Sequence, residues 1–332
     1  MTKIITVVGA NGDLGLRVCR ELLKQNVKVK AVIRNKSKAL DLEKLRSQNP
    51  EITNPKNLEI HCVDFNEEKL RSQNPEIINP KNLEIHCVDF NDEFKLCEVF
   101  ANSNCVVSTI SGLRESIIET QTKILRAVEK SGVKRFIPSD FAVDFRNIED
   151  GSNRNLELRK DFKKILDWSS LQITSILNGV FSDMLVTVMP LILFKIKRVV
   201  YFQNPQQKID FTTINNTAEF TAQVALDDNS PRYLKIACDQ LSSQDFVDLL
   251  TKLTGKKFKL LNGGNLKMLK FYIALSKFFA PKKNELYPAW QGMQYFYTIF
   301  SGSAKMDNLD NERYQNVKWV KVEEILKNFL KI

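Results

Sequence analysis

Three glycines near the N-terminus have the spacing of a phosphate-binding turn. Gly9, Gly12 and Gly15 follow the apolar, β-branched run Ile4–Val8 and precede residues 16–25, whose pattern predicts a helix. A strand, a glycine turn and a helix in this order direct unpaired backbone N–H groups and the positive end of the helix at one point. We therefore predict a dinucleotide-binding turn over residues 9–15, with a purely structural turn as the alternative.

Each glycine has a separate role in this prediction. Gly9 permits the tight turn after the strand, Gly12 lets a pyrophosphate approach the backbone, and Gly15 lets the helix pack close to the strand.

A basic residue follows the second predicted strand. Residues 27–33 alternate between apolar and polar side chains and end at Arg34, with Lys36 and Lys38 close behind. In dinucleotide-binding units an acidic residue at this place holds the ribose 2′-hydroxyl. A guanidinium has no acceptor for a hydroxyl but pairs well with a phosphate. We therefore predict NADP(H) rather than NAD(H); the alternative is that Arg34 is a solvated strand end.

Residues that follow the other predicted strands complete the candidate cofactor site, because parallel strands present their carboxyl ends at one edge of a sheet. Asp89 is placed to accept a hydrogen bond from an adenine amino group, with Phe90 beside the ring; alternatively, Asp89 caps the next helix. The predicted cofactor-binding residues are Gly9, Asn11, Gly12, Asp13, Leu14, Gly15, Arg34, Lys38, Asp89, Phe90, Thr109, Ile110, Ser111, Ser139, Phe141, Asn178 and Phe181.

Hydride transfer to a carbonyl also needs a proton donor. The chain's one Tyr-x-x-x-Lys match, Tyr314 to Lys318, lies outside the predicted sheet domain and is interpreted as chance. The remaining candidates are Lys160, on a helix predicted over 156–168, and Ser139. The alternative for Lys160 is a solvated lysine on the helix surface, and the alternative for Ser139 is a hydrogen-bonded turn.

Composition argues against several other kinds of protein. The six cysteines show no CxxC pair, and the two histidines are copies of each other, which disfavours a metal site or a serine–histidine mechanism. The net charge is +10, but the lysines look spread along the chain and no nucleic-acid motif is present. We predict a solvated basic surface, with no nucleic-acid or membrane partner. With no leader segment and no membrane-length apolar run, the predicted location is the cytoplasm.

A tandem duplication occupies residues 43–92. Residues 43–66 and 68–91 repeat with a period of 25 and differ only at Thr53 and Ile78. A parallel sheet has one position for its third strand, so 58–65 and 83–90 compete for it. The second copy runs directly into a predicted helix and the next strand, which supplies the crossover. We predict the second copy in the sheet and the first looped out or paired at an edge.

Strands and helices alternate through the first half, which predicts an α/β fold with a doubly wound parallel sheet. We predict a nucleotide-binding Rossmann domain over 1–180 and a smaller α+β substrate-binding domain over 181–332. In the latter, 266–279 forms a basic amphipathic helix, which we interpret as packed with its lysines in water rather than as lying on a membrane.

The turn at 9–15, Arg34, and the segments 132–141 and 173–181 resemble the NmrA-like and isoflavone-reductase-like proteins, which are atypical short-chain dehydrogenases. The resemblance implies an NADP(H)-binding Rossmann domain and, in reductase members, aromatic or phenylpropanoid-like substrates. It also implies a lysine on the helix 156–168. Counting back from Thr174 places that lysine at Arg159, next to Lys160, and an arginine is a poor proton donor.

Two functions follow from this resemblance. The first is an NADPH-dependent reductase of a small, aromatic, carbonyl or enol-type substrate, with Lys160 as proton donor. The second is a non-catalytic NADP(H)-binding redox sensor that acts through a protein partner; a homodimer is a further expectation. Arg159 favours the sensor, whereas aromatic side chains available to line a pocket favour the reductase: Phe181, Phe271, Trp290, Tyr295 and Phe296.

Overall fold

The computed structural model describes residues 2–25, 27–34, 58–61 and 83–332, the segment 58–61 by its backbone. The chain divides into two compact units. The first unit comprises Met1–Ser139, Ile165–Ser175 and Ala218–Arg232, and the second comprises Asp140–Lys164, Ile176–Thr217 and Tyr233–Ile332.

The first unit is built on a seven-stranded sheet with the order β3-β4-β2-β1-β5-β6-β7, in which every pairing is parallel. Its strands are β1 (Ile4–Val8), β2 (Lys28–Ile33), β3 (Leu58–His61), β4 (Leu83–Cys87), β5 (Cys105–Ser108), β6 (Arg135–Ile137) and β7 (Gln172–Ile173). Among the described residues, the helices that follow β1, β4 and β5 are α1 (Asp13–Lys24), α2 (Glu93–Phe100) and α3 (Gln121–Lys130). The parallel α/β sheet confirms the predicted fold class.

The two copies of the duplication lie side by side at one edge of this sheet. The second copy forms β4, which pairs with β2 from Val29↔Leu83 to Ile33↔Cys87. The first copy forms β3, which pairs with the outer side of β4 so that each residue lies opposite its own counterpart, Leu58↔Leu83 through His61↔His86. The prediction that the second copy takes the inner position and the first an edge is therefore confirmed.

Deleting residues 43–67 is expected to leave a folded protein, because β4 keeps its pairing with β2 and its connection to α2. The measurement is a thermal unfolding curve followed by circular dichroism, which should retain one cooperative transition. Insoluble protein from this deletion contradicts the expectation.

Deleting residues 68–92 instead gives a closely matched control. The two shortened chains differ at only two positions, Thr53 for Ile78 and Glu67 for Asp92. The Asp92 side chain caps α2 by accepting a hydrogen bond from the backbone N–H of Lys95 at 3.1 Å. Glutamate, which takes the place of Asp92 when residues 68–92 are deleted, is not among the preferred N-cap residues. The free energy of unfolding of that protein should therefore be about 1 kcal/mol lower than that of the protein lacking 43–67.

The later elements are shorter and more varied. The helices are α4 (Arg154–Leu166), α5 (Ile214–Leu226), α6 (Ser243–Thr254), α7 (Leu266–Phe279), α8 (Ala289–Phe300) and α9 (Val322–Leu330). The strands are β8 (Ser175–Leu177), β9 (Val180–Phe181), β10 (Ile192–Leu193), β11 (Arg198–Tyr201), β12 (Ile209–Thr212), β13 (Tyr233–Lys235), β14 (Asp239–Leu241) and β15 (Lys259–Asn262). They form the small sheets β10-β11-β15, β14-β12-β9 and β13-β8.

The core of the second unit is aromatic and aliphatic. Phe211 on β12 and Phe246 on α6 are fully buried and meet edge to face at 5.4 Å between ring centroids. Phe145 and Leu156 belong to the same buried cluster. In the part of the chain that the structure describes, no helix is long and apolar enough to cross a membrane.

One predicted strand is divided in the structure. The apolar pattern of residues 171–177 predicts a single strand, but β7 joins the large sheet and β8 pairs with β13. The interruption is at Thr174, whose hydroxyl hydrogen-bonds that of Ser230 at 2.8 Å. The backbone changes partner at this point, since the Thr174 N–H donates to the Phe136 carbonyl at 3.1 Å and the Ser175 N–H donates to the Arg232 carbonyl at 2.9 Å. The pattern of apolar residues does not reveal this change.

Candidate functional site

The glycine turn is closed by backbone hydrogen bonds. Gly9 has a φ of +79°, a conformation that favours glycine, and its N–H donates to the Val32 carbonyl at 2.9 Å. The Gly12 N–H donates back to the Gly9 carbonyl at 2.9 Å. Gly12 is the N-cap of α1, and no side chain caps this helix. The first turn of α1 thus keeps the open amide groups that bind anions in other proteins.

Gly15 packs against the backbone of the turn. A Cβ at this position would lie 2.5 Å from the Gly9 carbonyl oxygen and 2.5 Å from the Thr109 Oγ1. Thr109 is fixed there because its hydroxyl donates to the Val8 carbonyl at 2.9 Å. The helix therefore approaches β1 and the end of β5 as closely as a residue without a side chain permits, as the glycine spacing predicted.

The end of β2 presents an exposed guanidinium beside the turn. Arg34 lies over the ring of Phe90, 5.2 Å from its centroid, and forms no ion pair with any other residue that the structure describes. Phe90 is buried, so its ring supports Arg34. An exposed cation held in place by an aromatic ring suits a phosphate ligand. Lys38, predicted to assist Arg34, lies outside the described residues.

Asp89 is exposed and accepts hydrogen bonds from the backbone N–H of Asn91 at 2.9 Å and from its side chain at 3.0 Å. The alternative that Asp89 caps the following helix is wrong, because Asp92 is the N-cap of α2. The two residues are three apart and both aspartates, and the sequence does not distinguish which begins the helix.

The loops after β5 and β6 are joined by hydrogen bonds. The Ser139 hydroxyl donates to the Ile110 carbonyl at 2.6 Å, and the Ser139 N–H donates to the buried Gln121 side chain at 2.9 Å. Ser139 is thus a hydrogen-bonded turn residue, which was the alternative to its being a proton donor. The first unit therefore gathers along one edge of its sheet the described candidates Gly9, Asn11, Gly12, Asp13, Leu14, Gly15, Arg34, Asp89, Phe90, Thr109, Ile110, Ser111 and Ser139.

Phe141, Asn178 and Phe181 belong to the second unit. The Asn178 N–H donates to the Ala142 carbonyl at 3.0 Å, which places Asn178 beside the residue after Phe141. Asn178 is fully buried, and its Oδ1 has no hydrogen-bond partner among the residues described. Because a buried amide oxygen is costly without a partner, this atom is a good candidate to contact a bound molecule.

Lys160 is anchored within the second unit. Its Nζ donates to the Ile148 carbonyl at 3.2 Å and forms an ion pair with Asp150. The hydrogen bond from Lys160 lowers the pKa of the Asp150 carboxyl. The Lys160 amine is therefore tied to the loop that precedes α4.

The Arg159 charge acts on the Tyr295 hydroxyl, an interaction that we did not predict from the sequence. The Arg159 Nη1 donates to the Asn155 carbonyl at 3.1 Å, whereas its buried Nε has no partner in the described part of the chain. Burial raises the pKa of the Tyr295 hydroxyl, and the Arg159 charge and a hydrogen bond with the Asn155 side chain oppose that rise. A phenol beside a cation is a possible acid. From the sequence we predicted Tyr295 only as an aromatic residue that could line a pocket, because the pattern does not predict an interaction between α8 and α4.

Comparison with known proteins gives concordant results. The model of the NmrA-like family matches residues 1–325. Pinoresinol reductase 1 from Arabidopsis thaliana is 24% identical over 250 residues, which cover 68% of this chain and 74% of that protein.

Solved structures share the fold. The crystal structure of isoflavone reductase matches with a TM-score of 0.73 at 18% identity, covering 99% of this chain and 100% of that one. The complex of leucoanthocyanidin reductase from Vitis vinifera with NADPH matches with a TM-score of 0.72 at 15% identity and the same coverage. Because the family model spans nearly the whole sequence, the chain belongs to the NmrA-like family.

Proposed function

We propose that this protein is an NADPH-dependent reductase of a small, aromatic, carbonyl or enol-type substrate. The observation that carries the proposal is the uncapped N-terminus of α1 beside the exposed guanidinium of Arg34. Open amides suit a pyrophosphate, and a guanidinium suits a 2′-phosphate. The relatives support the reaction class, since they include pinoresinol reductase 1 and a leucoanthocyanidin reductase solved with NADPH, both named for aromatic compounds.

In this proposal the first-turn amides of α1 hold the pyrophosphate, Arg34 and Lys38 hold the 2′-phosphate, and Asp89 accepts a bond from the adenine amino group. Residues 1–180 bind the cofactor and residues 181–332 bind the substrate. NADPH, when bound, supplies the hydride. The carbonyl oxygen that becomes negative then takes a proton from this chain, and we assign that step to Lys160.

Lys160→Ala is expected to lower kcat by about a hundredfold or more, the usual effect of removing a general acid, without changing NADPH affinity. Turnover is measured from the loss of NADPH absorbance, and NADPH affinity is measured by a fluorescence titration. Lys164→Ala is the matched control, because Lys164 lies on the same helix, is exposed and pairs only with Asp161 among the described residues.

Unchanged turnover in Lys160→Ala would exclude the lysine as the donor. Tyr295→Phe then tests the phenol beside Arg159, since it removes the hydroxyl and keeps the ring.

The second candidate function is a non-catalytic NADP(H)-binding redox sensor that acts through a protein partner. Two observations favour it: Arg159 stands where the resemblance places a lysine, and Lys160 is held by Asp150 and Ile148.

One experiment separates the two functions. The purified protein is titrated with NADPH and with NADH, and NADPH oxidation is then followed against a panel of aromatic carbonyl compounds. Tight NADPH binding with turnover supports the reductase. Tight binding without turnover supports the sensor, and absence of NADPH binding contradicts both.

A further inference from the structure

Helix α7 leaves a row of large apolar side chains uncovered. Its inner face is anchored, because Leu269 and Ile273 are buried and cluster with Tyr297 of α8. The opposite face is between 42% and 80% exposed. We call it the α7 face, and it consists of Met268, Phe271, Tyr272, Leu275, Phe278 and Phe279.

These six residues have the spacing of a single helical stripe, at positions i, i+3, i+4, i+7, i+10 and i+11. We interpreted this segment as a packed helix with its lysines in water. That prediction is right for the inner face and wrong for the α7 face, because the structure buries one apolar stripe and exposes a second. A contiguous exposed apolar stripe marks an interaction site.

The surrounding sequence carries almost all of the chain's net charge. Residues 249–284 contain nine lysines and no aspartate, glutamate or arginine, which gives +9 against +10 for the whole chain. The lysines are spread along the chain, but the acidic residues that balance them elsewhere are missing from this stretch. Six of these lysines are exposed and form no ion pair among the described residues: Lys252, Lys256, Lys257, Lys259, Lys267 and Lys283.

The charge decides between the molecules that could cover the α7 face. In a symmetric dimer the same surface meets itself, so the exposed Lys267 and Lys283 of one copy would approach those of the other, and like charges repel. An anionic bilayer surface instead attracts each lysine and accepts the aromatic side chains at the boundary between headgroups and acyl chains.

The geometry points to peripheral binding of the α7 face to an anionic lipid surface. Helix α7 has 14 residues and is about 21 Å long, so it can lie in the plane of the membrane without crossing it. Phe278 and Phe279, 80% and 74% exposed, insert at its C-terminal end. Lys282 and Lys283 follow closely in sequence; Lys282 pairs with Glu285 at 3.0 Å, and the exposed Lys283 is available to the headgroups.

The test is co-sedimentation of the full chain with vesicles of phosphatidylcholine alone or with roughly one third phosphatidylserine. We expect binding to the phosphatidylserine vesicles at low salt, weaker binding at high salt, and little binding to phosphatidylcholine. The double variant Phe278→Ser/Phe279→Ser keeps every charge and should bind at least about tenfold more weakly. Trp168→Ser is the control, because Trp168 is 92% exposed and lies elsewhere in the chain.

Circular dichroism checks that each variant is folded. The inference is overturned if the protein does not bind phosphatidylserine vesicles at low salt, or if the double variant binds them as well as the unmodified chain. It is also overturned if light scattering shows a dimer that the double variant abolishes, since a second copy then covers the α7 face.

Discussion

Gly15→Ala is expected to lower the free energy of unfolding by about 2 kcal/mol, within the usual range for inserting a methyl group into a packed site. The new Cβ would lie 2.5 Å from the Gly9 carbonyl oxygen and from the Thr109 hydroxyl oxygen. The first of these atoms belongs to the backbone of the glycine turn, so relief requires α1 to move away from β1. Because the same movement displaces the amides at the start of α1, NADPH binding should be lost as well.

A second helical glycine supplies the matched control. Gly292 lies on α8, is exposed, and a Cβ there would meet no atom within 4 Å. Gly292→Ala should raise the free energy of unfolding by about 0.5–1 kcal/mol, since alanine is the better helix former. Urea unfolding curves of the two variants should therefore shift in opposite directions. A Gly15→Ala protein as stable as the unmodified chain, with its NADPH affinity intact, contradicts the packing argument.

The first unit was largely predictable because its signals are local. The β-branched run before Gly9 and the alternation that ends at Arg34 lie within a few residues of the structures they form. The position of the duplicated strand followed from connectivity, since 83–90 continues into α2 and then into the next strand of the sheet.

Features that depend on contacts between distant segments were not predictable. The hydrogen bond that fixes Ser139 joins it to Ile110, and the Arg159 charge acts on Tyr295, which is more than a hundred residues away in sequence. The exposure of Phe278 depends on which stripe of α7 packs against α8. A helical pattern of apolar residues identifies the stripe but does not determine whether another element covers it.

The ion pair of Lys160 bears on function more than on fold. From the sequence, Lys160 was a candidate proton donor with a solvated lysine as its alternative, and the structure shows it bound to Asp150 and Ile148. Proton transfer from Lys160 requires this ion pair to open when substrate binds, so the turnover of Lys160→Ala compared with that of Tyr295→Phe identifies the donor.

Arg34→Ala is expected to weaken NADPH binding by about 10- to 100-fold, while NADH binding changes by no more than about twofold. Hydrogen bonds to a charged group contribute about 1.5–3 kcal/mol, and NADH lacks the 2′-phosphate that would receive them. The structure supports this role because Arg34 is exposed, lies over Phe90 and has no ion-pair partner among the residues described. Fluorescence titrations with both nucleotides give the two dissociation constants.

Two further variants make this test specific. Arg34→Lys keeps the positive charge but loses the planar fork, so its NADPH affinity should fall between those of the unmodified protein and Arg34→Ala. Arg126→Ala removes the same charge from an exposed position on α3 and should leave both affinities unchanged. Equal losses for NADPH and NADH in Arg34→Ala would refute a 2′-phosphate contact and would mean that Arg34 acts on the site as a whole, through its packing on Phe90.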